Sequence, residues 1–167
     1  QEGTYPLPEA QLDRFFFFFL VTYPTRAQER DMMERMGTQD IPKARPTATA
    51  EQIKHLRAIS ETIYVDPKIK DYILDIVFTT RDPASTPLKQ LKPLIDVGAS
   101  PRATLALMKC ARAIALLRGR GFVIPEDIKA IAPDVLRHRI ILSFEAEADN
   151  MTSAQVIDQL LNKLPVP

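Results

Sequence analysis

An unbroken apolar run near the start of the chain, residues 15–21 (FFFFFLV), limits its fold more than any other feature. The run has no polar alternation, which is typical of a strand covered on both faces in the middle of a parallel sheet. No second segment has this pattern, and a lone strand cannot satisfy its own backbone N–H and C=O groups. We therefore predict that residues 15–23 form a buried strand whose partner strands are encoded before Gln1.

Size and composition limit the remaining possibilities. The 167 residues, 46% of them hydrophobic, suffice for one ordinary core, and because the chain starts at Gln1 rather than at Met we expect it to be part of a longer protein. A net charge of +1 argues against nonspecific binding to nucleic acid or to an anionic membrane. Cys110 is the only cysteine, so no intrachain disulfide can form, and the lack of a secretory signal predicts a cytoplasmic protein. The run at residues 15–21 is shorter than the about 20 residues that a membrane-spanning helix needs.

The first part of the chain is predicted to contain short helices on either side of the apolar strand. A proline and a carboxylate favour a helix over residues 8–14, and a charged amphipathic helix follows over residues 25–36, ending at Gly37. Residues 38–48 contain prolines and have no period, which is typical of a linker. We place a domain boundary between residues 40 and 41.

Beyond this linker the pattern is mostly helical. Capping boxes at Thr49 and Thr152 each predict the start of a helix, and so does Asp66 followed by proline. Ser100 begins the longest helix, over residues 102–118. Helical spacing predicts the buried faces of these four helices in chain order: Ile53, Leu56 and Ile59; Ile69, Tyr72, Ile73, Ile76 and Val77; Leu107, Cys110, Ala111, Ile114 and Leu117; Val156, Ile157, Leu160, Leu161 and Leu164.

The segments between these helices are predicted to be short or irregular. The prolines of residues 81–99 argue against regular structure there. The other predictions are strands over residues 122–124 and 140–144, a short helix over 125–130 and a turn over 133–137.

Four sequence motifs, taken in order, carry a resemblance to a known family. They are residues 2–15 (EGTYPLPEAQLDRF), 98–103 (GASPRA), 119–128 (GRGFVIPEDI) and 132–140 (APDVLRHRI). This set resembles the MoxR family of AAA+ ATPases over almost the whole chain. The resemblance implies a mainly α fold: a helical AAA+ lid bundle with short strands, preceded by a remnant of the α/β AAA+ core with one strand and flanking helices. Residues 1–40 would be that remnant and residues 41–167 the lid.

Arg14 is the first functional candidate that the resemblance implies. It ends the Leu-Asp-Arg motif and matches the family's arginine finger, which reaches the γ-phosphate of ATP held by a neighbouring subunit. A planar cation there stabilises charge that builds on the phosphoryl oxygens. On spacing alone, an Arg after an Asp at a helix end is usually a solvated surface residue. Asp13 is a secondary catalytic candidate, interpreted as an orienting partner or a helix-end charge rather than as an acid.

Arg102 is the second candidate, and it matches the family's sensor 2 arginine. The resemblance implies that it contacts the γ-phosphate bound by its own subunit. Because Arg102 lies in the first turn of the long helix, gain or loss of this contact would bias the angle of the lid against the core. On spacing alone, a solvated surface role is again the ordinary alternative.

The chain lacks the residues that hold ATP in such proteins. A P-loop needs glycines followed by Lys and Ser or Thr, and none of the five glycines lies in such a stretch. Residues 72–75 (YILD) superficially imitate a Walker B strand, but the apolar stripe there is helical. We therefore expect ATP and Mg²⁺ to bind the full-length protein, and this chain alone to hold no cofactor and to be inactive.

Several other polar or reactive residues have structural interpretations. His55 and His138 lack spaced ligand partners, so we predict no bound metal, and Cys110 fits a small buried hydrophobe. Ile124 stands where the family usually has a Thr cap, which weakens that helix start by about 1 kcal/mol. A basic cluster is interpreted as a solvated face, with contact to a neighbouring subunit or a client as the alternative: Lys109, Arg112, Arg118, Arg120, Arg137, His138 and Arg139.

The resemblance implies a ring, a hexamer in the leading hypothesis, that acts as a chaperone-like remodeller of client proteins, often with a von Willebrand A-domain partner. One alternative is the lid of a nucleic-acid-directed AAA+ machine, which the low net charge and the lack of aromatic residues among the basic ones oppose. The other is a free-standing helical interaction domain, which the apolar run at residues 15–23 opposes.

Overall fold

A computed structural model describes residues 7–37 and 43–167 of the chain. Its contacts divide the chain into two compact units, residues 1–18 with 58–167 and residues 19–57. The boundary that we predict between residues 40 and 41, and the first part of the linker, lie outside the described residues, and this division of the chain stays a prediction.

The described chain is mainly helical, with a single two-stranded sheet. The α-helices are α1 (Glu9–Leu12), α2 (Arg26–Met36), α3 (Ala50–Thr62), α4 (Pro67–Arg81), α5 (Pro101–Leu117), α6 (Pro125–Leu136), α7 (Phe144–Ala148) and α8 (Ser153–Lys163). Two 3-10 helices, Pro83–Ser85 and Lys89–Leu94, lead into strand β1 (Ile95–Val97), and strand β2 is Ile141–Leu142. No helix of the described residues has both the length and the apolar character that crossing a membrane requires.

The core of the larger unit lies among α4, α5, α6 and α8. Helix α5 packs against α4 and α6, and α8 packs against α6. The predicted buried faces of α4 and α8 are confirmed, because all their predicted core residues are buried. Asp66 caps α4 by accepting a hydrogen bond from the Lys68 N–H, and Thr152 and Gln155 form the predicted capping box of α8.

Helix α5 confirms the predicted start of the longest helix but not all of its buried face. Ser100 is its N-cap, and Gly119 follows its end with φ of +68°, a left-handed conformation that glycine adopts without strain. Leu107, Cys110 and Ala111 are buried as predicted, whereas Leu117 is 82% exposed. The prediction for Leu117 was wrong because the last residue of the helix lies beyond the packed surface of its partners.

The second half of this unit contains more regular structure than predicted. Helix α6 runs without a break through Pro133, and its end is closed by a hydrogen bond from the Arg137 N–H to the Pro133 carbonyl, so the separate turn predicted over residues 133–137 was wrong. Helix α7 was not predicted; Ser143 caps it by accepting from the Ala146 N–H. The predicted strand over residues 122–124 is a single bridge from Phe122 to Tyr64.

The small sheet joins the two segments that flank α5 and α6. Strands β1 and β2 are antiparallel, with Ile95 opposite Leu142 and Val97 opposite Ile141. The prediction of a strand over residues 140–144 is confirmed for β2. Strand β1 was not predicted, because the prolines of residues 81–99 argued against regular structure there. This short segment forms a strand only beside its partner β2.

The apolar run at residues 15–23 differs from the prediction. No strand is assigned to it, and its large apolar side chains are between 37% exposed, at Phe17, and 95% exposed, at Tyr23. A strand is defined by the neighbour with which it shares hydrogen bonds, and the described chain contains no sheet next to this run. The mainly α fold class is nevertheless confirmed.

The smaller unit contains α2 and most of α3. Thr25 and Gln28 form a capping box at the start of α2, and Gly37 ends this helix as predicted. Thr49 and Gln52 exchange the predicted hydrogen bonds before α3. No side chain of either helix is buried, so the core positions predicted on α3 were wrong for the described chain; Ile53 and Leu56 are 45% and 47% exposed.

Candidate functional site

The carboxylate of Asp13 brings together residues that lie far apart in the sequence. It is at the end of α1 and accepts a hydrogen bond from Arg102 Nη1 at 2.8 Å. The Ser100 hydroxyl lies 2.8 and 2.9 Å from its two oxygens, and Arg139 Nε lies 3.3 Å from Oδ1. Asp13, in the motif of residues 2–15, therefore contacts the motif of residues 98–103 and the motif of residues 132–140 within one unit of the chain.

The start of α5 places Ser100 and Arg102 at this carboxylate. Ser100 accepts from the Arg102 N–H as the helix cap and directs its own hydroxyl proton toward Asp13. Before it, a Cβ on Gly98 would lie only 2.4 Å from the Thr80 carbonyl oxygen, so the close approach of this backbone to α4 requires glycine. The Ala99 N–H then donates to Thr80 Oγ1 at 2.9 Å. These contacts fix the first turn of α5 on α4.

Opposing effects act on the pKa of Asp13. Burial alone raises this pKa, but hydrogen bonds from Arg102 and Ser100, together with the positive charges of Arg139 and Arg102, outweigh burial. The net pKa of Asp13 is below its ordinary value. The carboxylate is therefore ionised at neutral pH, which suits an orienting partner and does not suit a general acid.

Arg139 is the residue at this site that sequence reasoning missed. Its side chain is 2% exposed, so it does not belong to the solvated basic face that we predicted. Its Nη2 donates to the carbonyls of Phe15 at 2.6 Å and Asp13 at 3.3 Å, while Nη1 donates to those of Val135 and Phe16. Helical spacing could have indicated that Arg139 is buried, because it follows the buried Val135 of α6 by four residues.

His138 contacts the same segment after α1. Its Nε2 lies 3.0 Å from the Phe15 carbonyl, which can only accept, so Nε2 carries the proton of this hydrogen bond. Its ring stacks on Phe18 with centroids 6.0 Å apart. Burial is the largest effect on the pKa of His138 and lowers it, so the neutral imidazole is favoured. His138 therefore acts as a structural contact in this site.

Arg14 lies between the residues that make these contacts, but its own side chain points to solvent. It is exposed, and within the described chain the structure gives its guanidinium no hydrogen bond or ion pair. Its backbone N–H donates to the Gln11 carbonyl at 3.1 Å. The backbone of the Arg14 segment is thus held in place while a cation is left accessible.

Arg102 differs from Arg14 because it has a partner and remains accessible. Its side chain is 55% exposed, and only Nη1 contacts Asp13. A guanidinium has five N–H donors, so further donors of Arg102 can reach another anion. The N-terminus of α5, where Arg102 lies, also favours negative charge.

The rest of the predicted basic face is mostly paired. Arg118 Nη1 and Arg120 Nη2 lie 2.8 and 2.5 Å from Oδ1 of Asp127, whose side chain is fully buried. Arg137 pairs with Asp134 at 3.0 Å. The interpretation as a solvated face is therefore wrong for Arg120 and Arg137, whose side chains are 23% and 14% exposed. It holds for Arg118, which is 46% exposed beside its partner, and for the exposed Lys109.

Asp127 also satisfies a backbone donor at the start of α6, where Ile124 offers no side-chain cap. Its carboxylate accepts from the Ile124 N–H at 3.0 Å, so one backbone donor at the start of α6 is satisfied without a Thr at this position. Burial raises the pKa of Asp127, but the hydrogen bonds from Arg120 and Ile124 and the nearby charges of Arg120 and Arg118 bring it below its ordinary value. Residues of the α5–α6 connection therefore bind this ionised side chain from several directions.

Cys110 and residues 72–75 are structural parts of the helices that contain them. Cys110 is buried, and burial raises the pKa of its thiol to about 12, so the thiolate is disfavoured. Residues 72–75 lie within helix α4, as predicted. Among the residues that the structure describes, no group of three or more His, Cys, Asp or Glu is arranged to hold a metal ion.

Comparison with known proteins identifies the family. Residues 90–160 match the sequence model of the AAA lid domain. The chain is 40% identical over 166 residues to Chaperone MoxR1 of Mycobacterium tuberculosis, covering 99% of this chain and 44% of that protein. It is 37% identical over 167 residues to YeaC of Bacillus subtilis, covering 99% of this chain and 49% of that protein.

A solved structure gives the same result for the fold. The crystal structure of a candidate ATPase from Cytophaga hutchinsonii superposes with a TM-score of 0.95 at 37% identity, covering 100% of this chain and 51% of that one. The chain thus spans about half the length of the relatives that it matches. The resemblance that the four motifs indicated is confirmed, and the chain belongs to the MoxR family of AAA+ ATPases, with that class's lid domain.

Proposed function

We propose that this chain supplies two arginines for ATP hydrolysis by a ring-forming MoxR-type ATPase. Arg14 is the arginine finger directed at the nucleotide of a neighbouring subunit, and Arg102 is the sensor 2 arginine directed at the nucleotide of its own subunit. The observation that carries this proposal is the hydrogen bond of 2.8 Å between Asp13 and Arg102. Arg14, the next residue after Asp13, is exposed, and its guanidinium is unpaired in the described chain. This hydrogen bond joins Arg102 to the residue next to Arg14 in the sequence, which supports a shared role for the two arginines.

The exposure of Arg14 is what a residue acting on another subunit requires. A finger must leave its own subunit and enter a partner's site, so a side chain paired internally would be unavailable. Its planar cation stabilises the charge that spreads over the transferred phosphoryl oxygens. Asp13 is a positioning residue in this proposal, because its carboxylate is already committed to cations and the Ser100 hydroxyl.

The described residues fit a terminal phosphate better than they fit Mg²⁺. Arg102 offers accessible N–H donors at the N-terminus of α5, and both features attract an anion. A magnesium ion needs oxygen ligands, and the Asp13 carboxylate already faces two guanidinium groups. We therefore assign ATP and Mg²⁺ to the nucleotide-binding core of the full-length protein, with Arg102 binding and orienting the terminal phosphate from the lid.

The family supports a biological setting for this chemistry. We propose a ring, a hexamer in the leading hypothesis, that works in the cytoplasm as a chaperone-like remodeller of client proteins, with a von Willebrand A-domain protein as one kind of partner. A nucleic-acid-directed machine receives no support, because the basic residues that suggested it are paired or buried. A free-standing helical domain is disfavoured by the exposed apolar run.

The finger is tested by substituting Arg14 in the full-length protein. Arg14→Ala is expected to lower ATP turnover by about 10³-fold or more, because the charge on the phosphoryl group loses its partner, while ATP binding and ring assembly persist. Arg57→Ala is the control, since Arg57 is also exposed and lies on α3. Steady-state ATPase assays with sizing of the ring give the result, and undiminished turnover by an assembled Arg14→Ala ring would overturn the finger assignment.

A further inference from the structure

We propose that Arg139 is a positioning residue for Arg14: its buried guanidinium fixes the backbone on both sides of the finger. This inference rests on the proposed function of Arg14. It adds a residue that contacts neither nucleotide and that belongs to a different motif of the chain.

The contacts of Arg139 bracket Arg14 in the sequence. Nη2 donates to the carbonyl of Asp13, the residue before the finger, and to that of Phe15, the residue after it. Nη1 reaches the carbonyl of Phe16 at 3.4 Å. A guanidinium presents its donors in one rigid plane, so the Arg139 side chain contacts three backbone carbonyls of this segment in a fixed geometry that the rotatable donors of an ammonium group lack.

Arg139 is itself anchored to the lid. Its Nη1 also donates to the Val135 carbonyl on α6, and its Nε faces the Asp13 carboxylate at 3.3 Å. The end of α6 provides two more contacts, from His138 to the Phe15 carbonyl and from the Phe18 N–H to the Asp134 carbonyl. The backbone that carries Arg14 is therefore attached to the C-terminal end of α6.

The local structure around Arg14 is too short to set its position without such an attachment. Helix α1 has only four residues, and an isolated helix of this length is not stable in water. None of the residues of α1 is buried. The direction of the finger must therefore come from tertiary contacts, and Arg139 makes the largest set of them on both sides of Arg14.

Burial of the Arg139 cation costs hydration free energy, so its charge must be offset by the groups that it contacts. A cation that is 2% exposed loses most of its hydration, and burial is the largest effect on the pKa of Arg139, which it lowers. An apolar side chain of similar volume would fill this space without that cost. The carbonyls of the finger segment and the Asp13 carboxylate are the groups that need this cation, so its role lies in holding them.

The test uses mixed rings of the full-length protein, because a finger acts on the next subunit. The variants are Arg139→Lys, which keeps the charge but loses the planar fork, and Arg139→Met, which keeps the volume but loses the charge. Each is expected to lower ATP turnover by about 10- to 100-fold, since a misplaced catalytic group is ineffective. Arg137→Lys is the matched control: it is a neighbouring arginine that pairs with Asp134 and does not touch the finger segment.

Each variant is then mixed with subunits that have an intact Arg14 but an inactivated ATP site. The inactivated subunits supply well-positioned fingers to the intact sites of the variant, so turnover per active site is expected to recover. The proposal is overturned if an assembled Arg139 variant hydrolyses ATP at the normal rate, if its loss persists in mixed rings, or if neither variant assembles, which would make Arg139 a folding residue. Arg14→Ala run in parallel separates these outcomes: normal turnover there refutes the proposed function itself.

Discussion

At the scale of single residues, Asp13 is the group on which the candidate site depends. One carboxylate faces the guanidinium groups of Arg102 and Arg139 and the hydroxyl of Ser100. The side chains of Asp13 and Arg139 are only 17% and 2% exposed, so their charges are weakly screened by solvent, whereas that of Arg102 is 55% exposed. The first turn of α5 and the finger segment are thereby connected through a single ionised side chain.

The lowered pKa of Asp13 predicts how stability depends on pH. A carboxylate whose pKa is lower in the folded state stabilises the fold above its unfolded pKa of about 3.9, and this contribution is lost as pH falls through the folded value. We expect Asp13→Asn to show a smaller loss of unfolding free energy between about pH 5 and pH 3 than the parent. Urea unfolding at a series of pH values measures this.

The control for this prediction is Asp158→Asn, at an exposed carboxylate on α8. It should keep the pH dependence of the parent chain. A pH profile of Asp13→Asn that coincides with that of the parent would show that the contacts of Asp13 do not stabilise its ionised form.

At the scale of elements, the α5–α6 connection is held by a buried carboxylate in addition to the buried Val123. Arg118 and Arg120 follow α5, and both reach Asp127 in the first turn of α6. Two like charges can lie side by side there because the ionised Asp127 lies between them and also accepts from the Ile124 N–H. This arrangement fixes the start of α6, and Arg139 follows the end of the same helix.

Asp127→Ala is therefore expected to lower the free energy of unfolding by about 2 kcal/mol, because it removes the acceptor of the Ile124 N–H and the acceptor that the two arginines share. Asp31→Ala is the matched control, since Asp31 pairs with Arg35 one turn away on the exposed face of α2. An exposed pair of this kind contributes about 0.5 kcal/mol or less. Denaturant unfolding compares the two, and equal effects would contradict the role assigned to Asp127.

At the scale of the whole molecule, the chain exposes an apolar segment that a stable surface would not carry. Val21 and Tyr23 are 94% and 95% exposed, in line with a surface that another element covers. The predicted α/β core of the full-length protein is the element that we expect to pair with residues 15–23. This pairing would convert the exposed run into the strand that its composition predicts.

The chain on its own is accordingly expected to bind an apolar dye such as ANS and to self-associate. The double substitution of Val21→Ser and Tyr23→Ser should reduce both effects, because it removes exposed apolar area without touching the packed lid. Dye fluorescence and sedimentation velocity give the measurement. Strong dye binding by the full-length protein as well would contradict the view that its core covers this run.

Local patterns predicted the helical part of the fold well. The capping boxes at Thr49 and Thr152 and the cap at Asp66 mark real helix starts, because each involves hydrogen bonds within a few residues. Three of the misses share one physical cause, since β1, the exposed face of α3 and the exposed Leu117 all depend on which partner lies opposite. Such partners are distant in the sequence, and periodicity carries no information about them.

The candidate site divides in the same way. The sequence pattern alone was enough to predict the starts of α4, α5 and α8 and the core faces of α4 and α8. Through the motifs it also indicated the family and the candidates Arg14, Asp13 and Arg102. The packing of the helices was needed to show that Asp13 contacts Arg102, that Arg139 is buried against the finger segment, and that Asp127 pairs with the arginines after α5. The reason is that a helix cap is a contact between near neighbours, whereas the partner of a charge is set by how helices pack.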